Sequence, residues 1–513
     1  MLGIKEVLNK GKFKFDGLFI FDLANNHQGN VEHGKRIIRE VAAVAKKIGM
    51  RAACKLQFRD LDTFIHPYFK ENLDNKHIPR FLSTKLTDAE FAELVAEIKN
   101  QGLISMATPF DEASVDLLIK LNVDILKIAS CSAKDWPLLE IAAAAGKPIV
   151  ASTAGLTIEE IDNLVSFLDH RTVPFAIMHC VAIYPTPTDQ LHLHQIELLK
   201  ERYPKVPIGF STHEDQNDFS IIKMAYAKGT RIFERHVGVP TNDIKLNAYS
   251  STPEQIEKWL IAYQEAVAAS GSNHYSIPSL IEQDSLRPLM RGIYAKREIK
   301  KGQIINRDEV FFAMPLQNGQ LTSGQWQEGL IADRDYSVYQ ILPQTILSLK
   351  PTKKQIIAQV IHEVKALLNL ARIELGHEFN IELSHHYGVK NFKKVGIVMI
   401  DMINREYCKK ILIQLPGQIH PYHHHQKKEE MFQLLYGRLI VEIEGRKRLL
   451  YPGDKLLIQR GMRHSFWTED GAIFEEISTT HFTDDSFYDD PEVRKLSLEE
   501  RKTKLINWGR HQF

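Results

Sequence analysis

The chain has 513 residues, 44% hydrophobic and 25% charged, which is the balance of an ordinary soluble globular protein of roughly three domains. Lys and Arg total 65 against 64 Asp and Glu, a formal net charge of +1, so neither nucleic acid nor an anionic membrane is an expected partner. No apolar run is long enough to span a bilayer. Residues 1–15 alternate Lys with apolar residues and carry no signal-peptide core, so the expected location is cytoplasmic. The cysteines Cys54, Cys131, Cys180 and Cys408 are widely spaced and read as buried small hydrophobes in a reducing compartment.

In chain order, short apolar runs alternate with amphipathic stretches. Strands are expected over 19–23, 52–58, 103–107, 125–129, 148–151, 175–178, 207–210 and 231–234. Helices are expected over 31–48, 87–100, 112–120, 158–168 and 253–269, with Thr87 supplying a cap signal. Eight β/α units in about 270 residues match the rhythm of an α/β (β/α)8 TIM barrel. An open doubly wound sheet is the alternative, because closure is not visible in a sequence. The stretch 269–288, with Pro278 and Pro288, reads as a linker. Small strands follow, including 292–295. The run 351–375 is helical, either a connector or a packing arm. Beyond 389, β-branched runs at 410–415, 438–444 and 455–459 alternate with Gly and Pro turns, the pattern of a small all-β domain. The expected organisation is a barrel over 1–275, a small domain over 286–348, a helical linker over 349–378 and a β domain over 379–513.

Active sites of such barrels form at the C-terminal ends of the strands. Those ends supply Asp22, Asn26 and His27; Lys55 and Gln57; Thr108; Lys127 and Ser130; Ser152 and Thr153; His179; Ser211 and His213; Glu234 and His236. Any one of them has a structural explanation as a satisfied interior group. Together they make a positive, donor-rich pocket suited to a small dianion. His213 and His236 come from adjacent strands, where two imidazoles can share a divalent metal and leave positions open for substrate.

The segments Asn26-His27-Gln28-Gly29, Cys54-Lys55-Leu56-Gln57-Phe58, Ala107-Thr108-Pro109-Phe110, Lys127-Ile128-Ala129-Ser130, His179-Cys180, Gly209-Phe210-Ser211-Thr212-His213 and Glu234-Arg235-His236 occur in that order. In order and spacing they resemble the strand-end motifs of the N-acetylneuraminate (sialic acid) synthase family. Arg291 to Gly302 and Ile305 to Val310 resemble the antifreeze-like (SAF) domain that follows this family's barrel. The resemblance implies a transferase that condenses phosphoenolpyruvate with a sugar aldehyde to give a 3-deoxy-2-ulosonic acid and phosphate. It implies contacts to phosphoenolpyruvate from Lys55, Thr108, Lys127, Ser130, Ser211 and His236, with Asp22, Lys55, Lys127 and His236 as the catalytic set. Asn26, Gln57, Ser152 and Asn247 would join the substrate-binding residues. It implies a divalent metal, Mn2+ or Mg2+, on His213 and His236, and a homodimer formed by swapping SAF domains. Five positions depart from the family pattern: Asp22 replaces Glu, Ser132 Glu, Ala182 Asn, Asn247 Asp and Met314 Arg. They serve mainly the acceptor sugar, so the expected acceptor is an aldose other than N-acetylmannosamine.

In the C-terminal region, His423 and His425 are two apart, Glu430 follows, and His464 comes from a second hairpin. Two spaced His share a strand face. Three His and one Glu make a mixed N/O site for Mn, Fe, Ni or Zn. This set resembles the two cupin motifs, and His420 and His424 are expected to be exposed. The stretch 474–480 faintly resembles sugar-isomerase cupins. A catalytic cupin isomerase with the barrel as partner is therefore one alternative reading, and a non-catalytic sugar-binding protein on the same scaffold is the other.

Overall fold

The computed structural model describes residues 13–70, 75, 77–272, 276–346, 351–376 and 378–509; most of the Lys-rich N-terminal stretch lies outside them. Two compact units divide the chain, one up to residue 277 and one from 278 onward. In the first, eight parallel strands close into a barrel in sequence order: β1 (Leu18–Asp22), β2 (Ala52–Phe58), β3 (Ile104–Pro109), β4 (Ile125–Ile128), β5 (Ile149–Ser152), β6 (Phe175–Cys180), β7 (Ile208–Thr212) and β8 (Ile232–His236). β8 pairs back onto β1 with Asp22 opposite His236, which excludes the open sheet. Helices intervene, among them Val31–Ile48, Asp88–Asn100, Ile158–His170 and Pro253–Ser270. The last three begin in reciprocal capping boxes at Thr87/Glu90, Thr157/Glu160 and Thr252/Gln255.

Side chains alternate along each strand, and the two faces do different things. Outward residues such as Phe19, Phe21, Leu56, Leu126, Ile177 and Phe233 form one apolar core with the helices. Inward residues Ile20, Ala53, Met106, Ile125, Val150 and Ile232 plug the barrel. One pleat onward the same inward rows turn polar: Ile20 leads to Asp22, Ala53 to Lys55, Met106 to Thr108, Ile125 to Lys127, Val150 to Ser152 and Ile232 to Glu234. The plug is thus the floor of a polar mouth. Strands β3, β6, β7 and β8 run two residues past their expected ends. Thr108, Cys180, Ser211 and His236 continue the inward rows there, while His179 and Arg235 face the other way. Cys131 is exposed, contrary to expectation, because it sits in the 3-10 turn Ser130–Ser132 beyond β4.

In the second unit a helix, Leu280–Leu286, occupies part of the expected linker, with Ser279 as its cap. Next come two short antiparallel pairs, β9 (Gly292–Ala295) with β11 (Val310–Ala313) and β10 (Ile304–Ile305) with β12 (Leu330–Ile331). They surround Ile293, Ile299, Leu321 and Leu342. The helix Lys353–Leu370 is a packed element rather than a linker. Its Ile357, Val360, Ile361, Val364, Leu367 and Leu368 share one core with Ile381, Leu383, Ile400 and Ile413.

The remainder is all β: β13 (Asn380–Ser384), β14 (Ile397–Asn404), β15 (Tyr407–Gln414), β16 (Ile419–His424), β17 (Glu430–Gly437), β18 (Leu439–Ile443), β19 (Arg446–Leu450), β20 (Lys455–Ile458), β21 (His464–Trp467), β22 (Ala472–Thr479), β23 (Phe487–Tyr488) and β24 (Lys502–Ile506). They form a seven-stranded sheet, β20-β17-β22-β15-β14-β13-β24, and a five-stranded sheet, β19-β18-β21-β16-β23. Phe432 and Phe474 from one and Val441 and Phe466 from the other share a core, the two-sheet sandwich expected of a cupin. Among the described residues no helix is long and apolar enough to cross a membrane.

Candidate active site and metal centre

The polar layer of the barrel is a compact charge cluster. Lys55 Nζ lies 2.9 Å from Asp22 Oδ2 and 2.9 Å from Glu234 Oε1. Lys127 Nζ lies 3.7 Å from Glu234 Oε2 and donates to Ser152 Oγ at 2.5 Å. Ser211 donates to Glu234 Oε1 at 3.1 Å. None of the four charged residues is more than 4% exposed. Burial opposes the charge on Lys55, but Asp22 and Glu234 outweigh it and hold the ammonium up. Lys127, in the looser pair, is pushed down by burial, with Glu234 opposing and Lys55 adding. Burial works against Glu234 as well, yet Lys127 and Lys55 keep it below the usual carboxylate range. Two ammoniums are therefore held in a dry site by two carboxylates that an incoming anion can displace.

At the rim the rings of His213 and His236 lie 5.3 Å apart. His213 Nδ1 meets the carbonyl of Val181 at 3.0 Å, which fixes the proton there and leaves Nε2 as a lone pair. His236 Nδ1 is buried without a hydrogen-bond partner, 3.5 Å from Asp22 Oδ2. Burial, then the neighbouring His236, lowers His213 to about 3, and burial also lowers His236, so both rings are neutral. Neutral imidazoles beside a carboxylate, one with an orphaned nitrogen, fit a divalent cation. Tyr184 packs 4.2 Å from the His213 ring and Tyr249 5.2 Å from that of His236.

Other expected residues divide. Thr108 Oγ1 is buried without a partner and free to meet a ligand, while Gln57 is engaged at both ends, its Nε2 donating to Asp22 Oδ2 at 3.5 Å and its Oε1 accepting from Arg59 Nη2 at 3.2 Å. Ser130 lies at the edge, its Oγ accepting from Ala154 N at 3.0 Å. Asn26 donates to Val237 O at 2.7 Å and to Ser250 Oγ at 3.0 Å, tying the loop after β1 to the one after β8. Asn247 accepts from Tyr249 N at 3.2 Å. His179 and Thr153 are not in the pocket: they bond the carbonyls of Leu191 and Met178. Glu234, central here, entered the sequence reading as a strand-end residue and motif member, with no role assigned to it. Its signal was its place two residues before His236, on the same strand face.

The cupin sites its ligands by register. His423 on β16 faces His464 on β21, their rings 4.1 Å apart. One ligand atom from each of His423, His425, Glu430 and His464 lies within 4.8 Å of the others, and all four residues are buried. His423 Nδ1 and His464 Nδ1 each meet a backbone carbonyl at 3.1 Å, of Pro421 and Met462, and His425 Nδ1 meets that of Asp485. All three rings therefore present Nε2 as a lone pair. His464 Nε2 lies 2.8 Å from Glu430 Oε1, and His425 Nε2 3.7 Å. Glu430 Oε1 and His464 Nε2 are both buried without a hydrogen-bond partner, so a metal ion fits between these ligand atoms. Lys428, which the sequence reading did not single out, is buried with Nζ 2.5 Å from Glu430 Oε2 and 2.8 Å from Glu476 Oε1. His420 is buried rather than exposed. A register shift between His420 and His423 turns both inward despite their odd spacing. His424 is half-buried rather than exposed, stacked on Phe487 at 5.3 Å with its Nδ1 enclosed without a partner.

A model of the NeuB family matches residues 41–275, and a cupin domain model matches 411–475. An uncharacterized protein of Methanocaldococcus jannaschii is 32% identical over 294 residues, covering 56% of this chain and 82% of that protein. The chain belongs to the NeuB family. An N-acetylneuraminate-9-phosphate synthase of Drosophila melanogaster is 29% identical to this NeuB-family chain over 328 residues, covering 57% of it and 85% of the relative. The crystal structure of a putative spore coat polysaccharide biosynthesis protein E from Chromobacterium violaceum superposes at a TM-score of 0.62 with 45% identity, covering 65% of this chain and all of that one.

Proposed function

We propose that the barrel condenses phosphoenolpyruvate with an aldose to give a 3-deoxy-2-ulosonic acid and phosphate. The observation that carries this is the paired ammonium cluster, Lys55 and Lys127 on Asp22 and Glu234, lying directly below the neutral imidazoles of His213 and His236. In this reading the enol carbon of phosphoenolpyruvate forms the new bond to the aldehyde carbon, and the aldehyde oxygen takes up a proton. Water adds to C2, and phosphate leaves with the bridging oxygen. Lys55 and Lys127 bind the phosphate and carboxylate, with Thr108, Ser130, Ser152 and Ser211 as further donors. Asp22 takes the proton released as water adds. A divalent cation on His213 and His236, Mn2+ or Mg2+, would supply Lewis acidity toward the aldehyde. Ser132, Asn247 and Met314 point to an acceptor other than N-acetylmannosamine. The region 286–348 serves as the SAF domain of a homodimer. Phosphate release from phosphoenolpyruvate, metal and a panel of aldoses tests the reading. Release should need all three components, and clear preference for N-acetylmannosamine would remove the acceptor assignment.

A second catalytic centre in the cupin is favoured by one observation. The fully buried Lys428 bridges the metal-site residue Glu430 and a second carboxylate, Glu476, which also accepts from Ser478 at 3.0 Å. A lysine–carboxylate couple beside a metal is equipped to move a proton on a sugar, as an isomerase does. Glu476→Gln should then keep the metal, whether Mn, Fe, Ni or Zn, while abolishing aldose–ketose interconversion. Failure of the unmodified protein to interconvert any sugar leaves the cupin a binding domain.

A further inference from the structure

Arg59 follows the last residue of β2 at the barrel mouth. Its guanidinium is sandwiched between two aromatic rings, 3.6 Å from the centroid of Phe110 and 4.1 Å from that of Phe81. The faces of the group are thus satisfied and its orientation fixed. Its edge is not. One Nη2 hydrogen goes to Gln57 Oε1 at 3.2 Å, and Nε is buried with no partner. Among the described residues Arg59 has no ion-pair partner. The nearby Asp111 is committed to the backbone N–H groups of Ser114 and Asp60, at 2.7 and 2.8 Å. Asp22 is held by Lys55 at 2.9 Å. Burial lowers Arg59 to about 10, with Cys131, Asp22 and Asp111 opposing only weakly.

A stack that served packing alone would not need a half-buried cation whose Nε is enclosed without a partner. Such a fork suits a planar or tetrahedral oxyanion. The contacts run outward from the charge cluster, from Asp22 to Gln57 to Arg59, which places the fork beyond the lysines. Phosphoenolpyruvate is already served by those lysines, so the group that reaches Arg59 belongs to the other substrate. We infer that the acceptor aldose carries an anionic substituent, a phosphate ester or a carboxylate, bound by the edge of Arg59. This rests on the condensation reading above.

The test gives the intact enzyme, with phosphoenolpyruvate and Mn2+, sets of one aldose in neutral, 6-phosphorylated and 6-carboxylate forms. One anionic form should exceed its neutral parent in kcat/KM by about tenfold or more, the worth of a charge-assisted bidentate contact, and the form that wins identifies the anion. Arg59→Gln should erase that preference through the acceptor KM and leave the KM for phosphoenolpyruvate unchanged. Arg59→Lys keeps the charge within the sandwich and should restore part of the preference. Equal use of neutral and anionic forms overturns the inference, as does a rise in the KM for phosphoenolpyruvate in Arg59→Gln. Absence of phosphate release with every sugar overturns the condensation reading itself, and this inference with it.

Discussion

Replacing Glu234 by Gln removes one negative charge from the polar layer and almost no volume. In the intact site Glu234 faces ammoniums at 2.9 and 3.7 Å. At an effective dielectric constant of 20, those attractions amount to about 6 and about 4 kcal/mol. Most of that offsets the cost of burying Glu234, and loss of one partner from a buried ion cluster typically leaves about 3–5 kcal/mol of destabilisation. Asp22 then faces two lysines alone, and the cluster carries a net positive charge with no access to water. For a domain this size the melting temperature of the ligand-free barrel should fall on the order of 10 °C. Phosphoenolpyruvate brings back the missing charge, so it should raise the melting temperature of the variant more than that of the parent. Differential scanning calorimetry of both proteins, with and without phosphoenolpyruvate, reads all four values. An unchanged transition in the ligand-free variant, or a smaller upward shift on adding phosphoenolpyruvate, would refute the reasoning.

Double replacement of His423 and His425 by Ala should lower the bound divalent metal by one per chain, measured by elemental analysis, because two of the four convergent ligand atoms are gone; unchanged metal content would show that the ion, if any, sits elsewhere. Burial, with smaller contributions from His33 and Arg80, lowers His27 from 6.5 to about 4. The unfolded chain therefore takes the proton first. Stability is complete above pH 6.5 and declines by about 3 kcal/mol as pH falls toward 4. His27→Asn keeps an acceptor for Gly29 N, which now bonds His27 Nδ1 at 3.0 Å, without titrating there. Its denaturant midpoint should fall less over that pH interval, and an identical fall would assign the loss to other groups.

The barrel was legible because its strands repeat one pattern, apolar outside and apolar-then-polar inside. The reading stopped β3, β6 and β7 where polar residues began, although Thr108, Cys180 and Ser211 there continue the inward rows of the strands. Lys55, Lys127, His213 and His236 stood out as charged or titratable groups at those ends. Glu234 was named at the same ends but given no role, since the residue types carry no sign that two lysines from β2 and β4 meet it. In the cupin, Lys428 sits beside Lys427 and reads as one of two solvated charges. Only the period of two, which puts 428 on the face of Glu430, separates them. His420 was misplaced because a shift in strand register leaves no mark in the residue types. The helix Lys353–Leu370 could be read as a connector or as a packing arm because the sheet that covers its apolar face begins ten residues beyond its end.

The account stands on an enol phosphate and a divalent ion being held side by side in the barrel mouth. Phosphorus-31 relaxation of phosphoenolpyruvate with Mn2+ measures that proximity directly, best in the His423→Ala, His425→Ala protein, where the cupin ion is absent. Saturable paramagnetic broadening, lost on His213→Ala and on Lys127→Met, is the predicted result. A phosphorus signal that stays sharp with protein and Mn2+, or broadening that survives both replacements, would contradict it.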